Sequence, residues 1–541
     1  MMEEKSIPAK AKHRRFRDFL SLLVALLIVL SVCLLFSTRT SGMFIDEIYT
    51  YGLSNSHYMP FLGNGEHDKG ELPADQIFTQ GELFDYVAVT DGDRFDFGSV
   101  YYNQERDVHP PLHYWIINLA SSLAPHTFSK WIGLIPDLII YLGVLTVLFF
   151  LCLELFDNRW IAVAAVLLYG LSYSGLSTML MIRMYVLVTF FSVLLALLVA
   201  KLIHEEKRRW YPLILLTILF GMLTQYYFVF YAFFLCGFYV IYALTHRRFK
   251  SAGVFALFAF AGVGLSVLAF PAMLSHLTAD NIVSGGNALD NLSNTSQWIT
   301  RLRTYFSFTR HGLKAAILIG FVSVLLLLVF FRRLSSAQRE KRLFWDSLWI
   351  ILPALPTLLL SALLAPVLEE RYVYNIMPIL TLAAALTLSL LTACFPQEKT
   401  KRTAEPLVCL LVAALALFVA RSEPPGYLYP EYASYDAIVS EHADDPCLYM
   451  TGYFAPVTQD LLQLLTFDDV CVADDASSPL LKGYLEEADS DECVVYIDIS
   501  DFWGSGFDPD EMLAELLAET DYTASQHLYH NALSDTYLLT K

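Results

Sequence analysis

The side chains best suited to chemistry are two adjacent carboxylates, Asp46 and Glu47, about ten residues past the first long apolar run. The stretch Phe44-Ile45-Asp46-Glu47-Ile48-Tyr49-Thr50-Tyr51-Gly52-Leu53 has apolar and aromatic residues at helical spacing. It predicts a short amphipathic helix with the acids near its start. A carboxylate placed there can take a proton from an acceptor hydroxyl. The plainer alternative is an acidic pair that favours a helix N-terminus. Some sixty residues later comes Val108-His109-Pro110-Pro111-Leu112-His113-Tyr114-Trp115. The rigid Pro-Pro pair stops any preceding helix and fixes where His109 points. His113, Tyr114 and Trp115 alone would serve as an interfacial anchor.

Further along, Arg183 and Tyr185 open one apolar run, Gln225, Tyr226 and Tyr227 mark a break between two others, and Glu369-Glu370-Arg371-Tyr372 opens a third. Arginine binds phosphate with a planar fork and stays charged in a low dielectric. A single arginine at a helix end is more simply explained by snorkelling or by pairing with a nearby acid. Two of them, with tyrosines and carboxylates on one membrane face, favour anion binding.

The elements that must position these residues are set by hydropathy. Of the 541 residues, 56% are apolar, and they fall in long uninterrupted runs. A bilayer core about 30 Å thick needs roughly 20 apolar residues per helical crossing. The runs lie near 19–36, 132–155, 160–179, 184–203, 210–223, 226–244, 252–274, 315–331, 347–365, 372–395 and 406–420, which makes eleven candidate crossings. The first follows basic residues at 10–17 and lacks a small-residue cleavage site, so an anchored helix is expected rather than a cleaved signal peptide.

Basic clusters at 10–17, 201–209, 247–250, 332–342 and 399–402 set the direction, because Lys and Arg accumulate on the cytoplasmic side. Eleven crossings with a cytoplasmic N-terminus (1–18) put every cluster inside. Three segments are left outside: a first loop 37–130, a second loop 275–311, and the tail. The stretch Leu112 to Leu123 is too short to span and reads as an interfacial or re-entrant helix.

The net charge of −18 is unevenly spread. From Ser422 onward there are 25 Asp and Glu against two Lys, a balance of −23. The expected organisation is therefore an α-helical polytopic transmembrane domain at 19–421 followed by an acidic extracytoplasmic α/β domain at 422–541. In the tail, Cys447–Met450 and Cys493–Asp498 read as buried strands, and 479–485 and 511–517 as helices. That alternation suggests a parallel sheet. Asp498 and Asp474-Asp475 at strand ends could bind a ligand, but they read better as solubilising surface charge. The eight cysteines include no CxxC pair, so zinc and redox motifs gain little support. Asp91-Gly92-Asp93 reads as a turn far better than as a metal site.

Taken in order, Asp46-Glu47, His109-Pro110-Pro111-Leu112, Arg183-Met184-Tyr185, Thr224-Gln225-Tyr226-Tyr227 and Glu370-Arg371-Tyr372 resemble the GT-C-type glycosyltransferases. The branch they look most like holds the protein O-mannosyltransferases and the lipid A aminoarabinose transferases. Each motif is weak alone, but their order, spacing and shared face are fairly specific over residues 15–420. The tail lies outside the resemblance and is unlike the β-trefoil of eukaryotic protein mannosyltransferases.

The resemblance implies transfer of a sugar from a polyprenyl-phosphate carrier to an acceptor on the outer face. Asp46 would be the base and Glu47 would orient acceptor or donor. His109, Arg183 and Arg371, with Tyr185 and Tyr372, would face the lipid phosphate. Gln225, Tyr226, Tyr227 and His113 would line the substrate groove. No cofactor and no metal site is expected, although a divalent cation stays open. The expected partners are the lipid-linked sugar, the bilayer, and a protein, lipid or polysaccharide acceptor; nucleic acid is not among them. No Gly-rich phosphate loop stands in the sequence, which argues against a nucleotide donor. Rival readings are a transporter or flippase for a lipid-linked sugar and a non-catalytic envelope assembly protein. Against the transporter, no internal repeat is evident and the charges gather at one face instead of the midplane.

Overall fold

Long apolar stretches have no way to satisfy their backbone in lipid except as helices, and each of the eleven runs folds as helix in the computed structural model. Residues 9–64, 72, 75–278, 286–330, 338–394, 398–500 and 506–541 are described. Much of the expected basic cluster at 332–342 lies outside the described residues. Eight helices are long and apolar enough to cross a membrane: His13–Ser37, Lys130–Phe156, Tyr185–His204, Phe228–Thr245, Phe249–Ala269, Phe344–Leu364, Glu370–Ala393 and Thr403–Ser422. Two further pairs are bent, Arg159–Gly170 with Tyr173–Leu180 by 62° and Thr295–Gly312 with Lys314–Phe330 by 86°, so the count rises to ten if each pair is one span.

The expected count of eleven needs one more, from the run at 210–223. It forms a helix of only 13 residues, Trp210–Met222, about 20 Å long at 1.5 Å per residue. The chain then breaks at 223–227 before helix Phe228–Thr245, where Gln225, Tyr226 and Tyr227 marked a break in the sequence. Large apolar side chains stay exposed along the helices, among them Phe233 at 70%, Phe260 at 77% and Leu268 at 77%. A surface of that kind is stable only against lipid or a partner. The chain is a polytopic helical membrane protein carrying a small C-terminal sheet domain.

The chain forms two compact units, Met1–Thr38 with Asp137–Gly426 and Arg39–Pro136 with Tyr427–Lys541. In the first, the two bent pairs meet at their bends. A Cβ on Gly312 would lie 1.9 Å from Ser174 Oγ, so a larger residue there would force the Ser174 side chain to move. Ser172 caps the second half of its pair, its Oγ accepting from the Gly175 amide at 3.0 Å.

The second unit is built on a sheet of six strands: β1 (Gln76–Thr79), β2 (Cys447–Met450), β3 (Asp469–Ala473), β4 (Glu492–Asp498), β5 (Ala524–His530) and β6 (Ser534–Thr540). Their spatial order is β1-β3-β2-β4-β6-β5. The expected strands at Cys447–Met450 and Cys493–Asp498 are present, and β2 runs parallel to both β3 and β4. The sheet is not wholly parallel, however. β6 is antiparallel to β4 and β5, and β1 is antiparallel to β3. The β5–β6 connection spans three residues, 531–533, which permits only an antiparallel hairpin. β1 comes from the segment read as the first outer loop.

Alternation along β4 sends Cys493, Val495 and Ile497 to a core completed by Leu481 and by Met512, Leu513 and Leu516 from helices Pro479–Ala488 and Pro509–Glu519. Tyr496 lies on the opposite face, stacked on Tyr449 with ring centroids 5.3 Å apart. Asp498 is not the surface charge expected: it is wholly buried, accepting from Thr451 Oγ1 at 2.8 Å and Ser500 Oγ at 2.6 Å.

Asp460 is also fully buried and accepts from Tyr449 Oη at 2.7 Å, Asn531 Nδ2 at 2.6 Å and Ser534 Oγ at 2.6 Å. Burial outweighs these donors and raises its carboxyl from 3.8 to about 6. The folded chain therefore holds a proton that the unfolded chain has released between about pH 4 and 6. The stability this contributes is present below pH 4 and is lost as pH rises through 6. Asp460→Asn removes the titration. The difference in unfolding midpoint between wild type and variant should change across pH 4–6 by the equivalent of about 3 kcal/mol and be flat above pH 7. A difference flat from pH 4 to 8 would refute the buried-acid assignment.

Candidate functional site

The acidic pair lies in the first turn of helix Ile45–Asn55, as its periodicity predicts. Phe44 is extended (φ −77°, ψ 150°) and its amide donates to Glu47 Oε2 at 2.7 Å. Glu47 is 2% exposed. It thus performs the helix-capping role that was the plainer reading of the pair, satisfying an amide the helix leaves over. Asp46 is half-buried one position earlier. Glu47→Gln keeps an accepting oxygen and should hold the unfolding midpoint near that of wild type. Glu47→Ala should cost about 1 kcal/mol. Equal losses in both would remove the capping account.

The helix Leu112–Leu123 forms at the length expected and packs on Ile45–Asn55 through Tyr114 and Leu53. His109, just before the Pro-Pro pair, has Nδ1 2.9 Å from Asp107 Oδ2. His113 is fully buried, its ring edge-on to Tyr114.

The tail supplies neighbours that sequence reading missed. Ser41 donates its amide to the Leu428 carbonyl at 2.9 Å. Tyr429 lies close enough to Glu47 and Asp46 for both charges to act on its phenol, which burial already pushes well above its usual value. Only the run of tyrosines at 427, 429, 432 and 435 hinted at this in the sequence.

The helical unit gathers a second group around the turn Glu370–Ile376. Tyr227 stacks on Tyr372 with ring centroids 4.8 Å apart. The Arg371 guanidinium lies 5.7 Å from the Tyr372 centroid. Tyr185 meets Tyr374 edge-on at 6.2 Å, and Tyr374 Oη donates to Glu370 Oε1 at 2.7 Å. Arg183 is 4% exposed and stands two residues before Tyr185 at the start of helix Tyr185–His204. The structure therefore brings together Tyr185, Tyr227, Arg371 and Tyr372. Tyr226 turns elsewhere, its hydroxyl 2.8 Å from His276 Nδ1, and Gln225 is buried at the helix break.

Beside the turn, Tyr173, Ser307, His311, Glu369 and Glu370 line an open cleft of about 440 Å³. Sequence reading also missed Arg301, which donates to the Ala362 carbonyl at 2.9 Å and to that of Ala365, closing the end of helix Ala354–Leu364. The spacing of Trp298, Arg301 and Tyr305 within helix Trp298–Gly312 was the available signal.

Among the described residues, one group of side chains has donor atoms close enough together to hold a metal ion, His442, Asp445 and Glu492, within 4.8 Å of one another. His442 Nδ1 lies 3.1 Å from Asp445 and 3.4 Å from Glu492, distances that ion pairing accounts for without a metal. Asp91-Gly92-Asp93 forms a single helical turn, with Thr90 Oγ1 donating to Asp93.

Residues 108–270 match the family described as dolichyl-phosphate-mannose-protein mannosyltransferase. That segment is GT-C-like. His109, His113, Arg183, Tyr185, Gln225, Tyr226 and Tyr227 lie within the GT-C-like segment, and Asp46, Glu47, Arg371 and Tyr372 lie outside it. No curated protein matches the chain by sequence. Among solved structures, the chain is similar to ArnT from Cupriavidus metallidurans bound to undecaprenyl phosphate (11% identity, TM-score 0.47, covering 95% of this chain and 97% of that one). It is also similar to the arabinosyltransferase EmbB from Mycobacterium smegmatis (13%, TM-score 0.43, 93% and 45%) and to the Archaeoglobus fulgidus oligosaccharyltransferase (12%, TM-score 0.42, 96% and 74%).

Proposed function

We propose that this protein is a membrane glycosyltransferase that moves a sugar from a polyprenyl-phosphate carrier to a hydroxyl acceptor. The observation that supports this best is the match of residues 108–270 to a family whose name describes mannosyl transfer from dolichyl phosphate. In this reading the Asp46 carboxylate takes the proton of the acceptor hydroxyl. The acceptor oxygen attacks the anomeric carbon, the bond from that carbon to the phosphate oxygen breaks, and the electron pair leaves on the polyprenyl phosphate. Glu47 holds the start of the helix that carries the base. Arg183 and Arg371 meet the charge that grows on the phosphate, where a preorganised cation gains most. Tyr185, Tyr227 and Tyr372 flank the lipid or sugar in the same reading. Chemistry runs on the extracytoplasmic side, with a cytoplasmic N-terminus and the acidic sheet domain outside, as the basic clusters direct.

The test uses purified protein in detergent, radiolabelled polyprenyl-phosphate mannose and a solubilised envelope extract as acceptor. Transfer of label to the extract is expected. Absence of transfer with mannose and with other lipid-phosphate sugars would remove the proposal.

A further inference from the structure

The segment joining the last apolar helix to the sheet domain has a backbone that side chains rarely tolerate. Tyr427 (φ 64°) and Tyr429 (φ 46°) both occupy the left-handed region, which bulky residues avoid because Cβ crowds the following carbonyl. Outliers of this kind persist only where surrounding structure holds them, and they cluster where ligands bind. Here the surroundings are specific. The Leu428 carbonyl between the two tyrosines accepts from the Ser41 amide at 2.9 Å. The Tyr432 ring fills the space over Gly42, where a Cβ would lie 2.5 Å from Tyr432 Cγ. Gln459 Nε2 donates to the Tyr432 hydroxyl at 2.6 Å. The strap is thus bound to residues 41 and 42, directly upstream of the helix that carries Asp46 and Glu47.

Within it, the Tyr429 ring stands edge-on to Tyr427 at 6.3 Å and to Tyr432 at 5.9 Å. Tyr429 is half-buried, and among the described residues nothing hydrogen-bonds its phenol. Burial, with Glu47 and Asp46 nearby, keeps that phenol protonated well past its usual value. A neutral phenol beside a carboxylate is a hydrogen-bond donor and a poor competitor for the proton.

Resting on the transfer reading above, we infer that Tyr429 is a positioning residue for the acceptor, its phenol donating a hydrogen bond that holds a hydroxyl-bearing group beside Asp46. The tail thereby sets acceptor choice, a role outside the segment that matches the mannosyltransferase family. Tyr429→Phe removes the hydroxyl and keeps the ring. With radiolabelled polyprenyl-phosphate mannose and titrated envelope extract, the acceptor KM should rise roughly five- to tenfold. The donor KM and the unfolding midpoint should stay at wild-type values. Tyr432→Phe, which removes the hydroxyl engaged by Gln459, should lower the midpoint and leave acceptor KM unchanged. Wild-type turnover together with an unchanged acceptor KM in Tyr429→Phe overturns this inference alone. An equal rise in donor KM, or a fall in the Tyr429→Phe midpoint, also overturns it, because either marks a merely structural residue. A silent wild type removes the transfer reading and this inference with it.

Discussion

Asp46→Asn is expected to lower sugar transfer by about a thousandfold while leaving the fold intact. The magnitude is that of a positioned general base, typically 10²–10⁴-fold. The expectation of an intact fold comes from the division of labour in the first helical turn. Glu47, not Asp46, accepts the Phe44 amide, and Glu47 is the buried member of the pair. An amide at position 46 matches the carboxylate in size and leaves that cap untouched. It also keeps an oxygen able to accept from the acceptor hydroxyl, so acceptor KM should change far less than kcat. The decisive measurement is kcat at saturating lipid-linked mannose and envelope extract, with the unfolding midpoint recorded beside it. Full turnover in Asp46→Asn would strip this residue of its role even if the protein is a transferase. Turnover lost together with a collapsed midpoint would assign Asp46 to the fold instead.

Arg183→Gln should lower kcat by 10²–10³-fold, the usual consequence of removing one preorganised donor from a growing negative charge. Arg183 is 4% exposed and precedes helix Tyr185–His204. A helix N-terminus is already positive, so a cation gains nothing there from the dipole. The two together make a doubly positive place, which suits a phosphate. Arg183→Lys keeps the charge and loses the planar fork, so an intermediate loss is expected. Arg301 provides the contrast. It is as deeply buried, but its guanidinium donates to the carbonyls of Ala362 and Ala365 at a helix end. Arg301→Gln should lower the unfolding midpoint and leave the affinity for free polyprenyl phosphate unchanged, whereas Arg183→Gln should weaken that affinity. If Arg183→Gln binds polyprenyl phosphate as wild type does and keeps its kcat, phosphate recognition lies with other residues.

The helices and several strands were legible because their information is local. Apolar runs longer than a dozen residues predicted eleven helices, and helix stands at every one of them. The short apolar runs Cys447–Met450 and Cys493–Asp498, the second rich in β-branched residues, predicted buried strands, and the spacing from Phe44 to Leu53 predicted the helix that carries the acidic pair. Local patterns stop short where a run is broken or brief. Arg159–Leu180 reads as one span and is bent by 62° because Ser172 starts a new helix within it. The strand Gln76–Thr79 has only four residues, too few for a periodic signal, and its existence depends on pairing with Asp469–Ala473 almost four hundred residues away.

By itself the sequence determined a polytopic helical body, an acidic tail with mixed helix and strand, and which side chains have the chemistry for proton abstraction and phosphate binding. These follow from composition and from periods of two and 3.6 residues, which each segment carries alone. Tertiary structure decided that Glu47 caps its own helix, that Tyr227 stacks on Tyr372 beside Arg371, and that the loop after the first helix shares its sheet with the tail. It also set Tyr429 near the acidic pair. Such pairings depend on which distant surfaces meet when the chain closes on itself, and no local period records that choice.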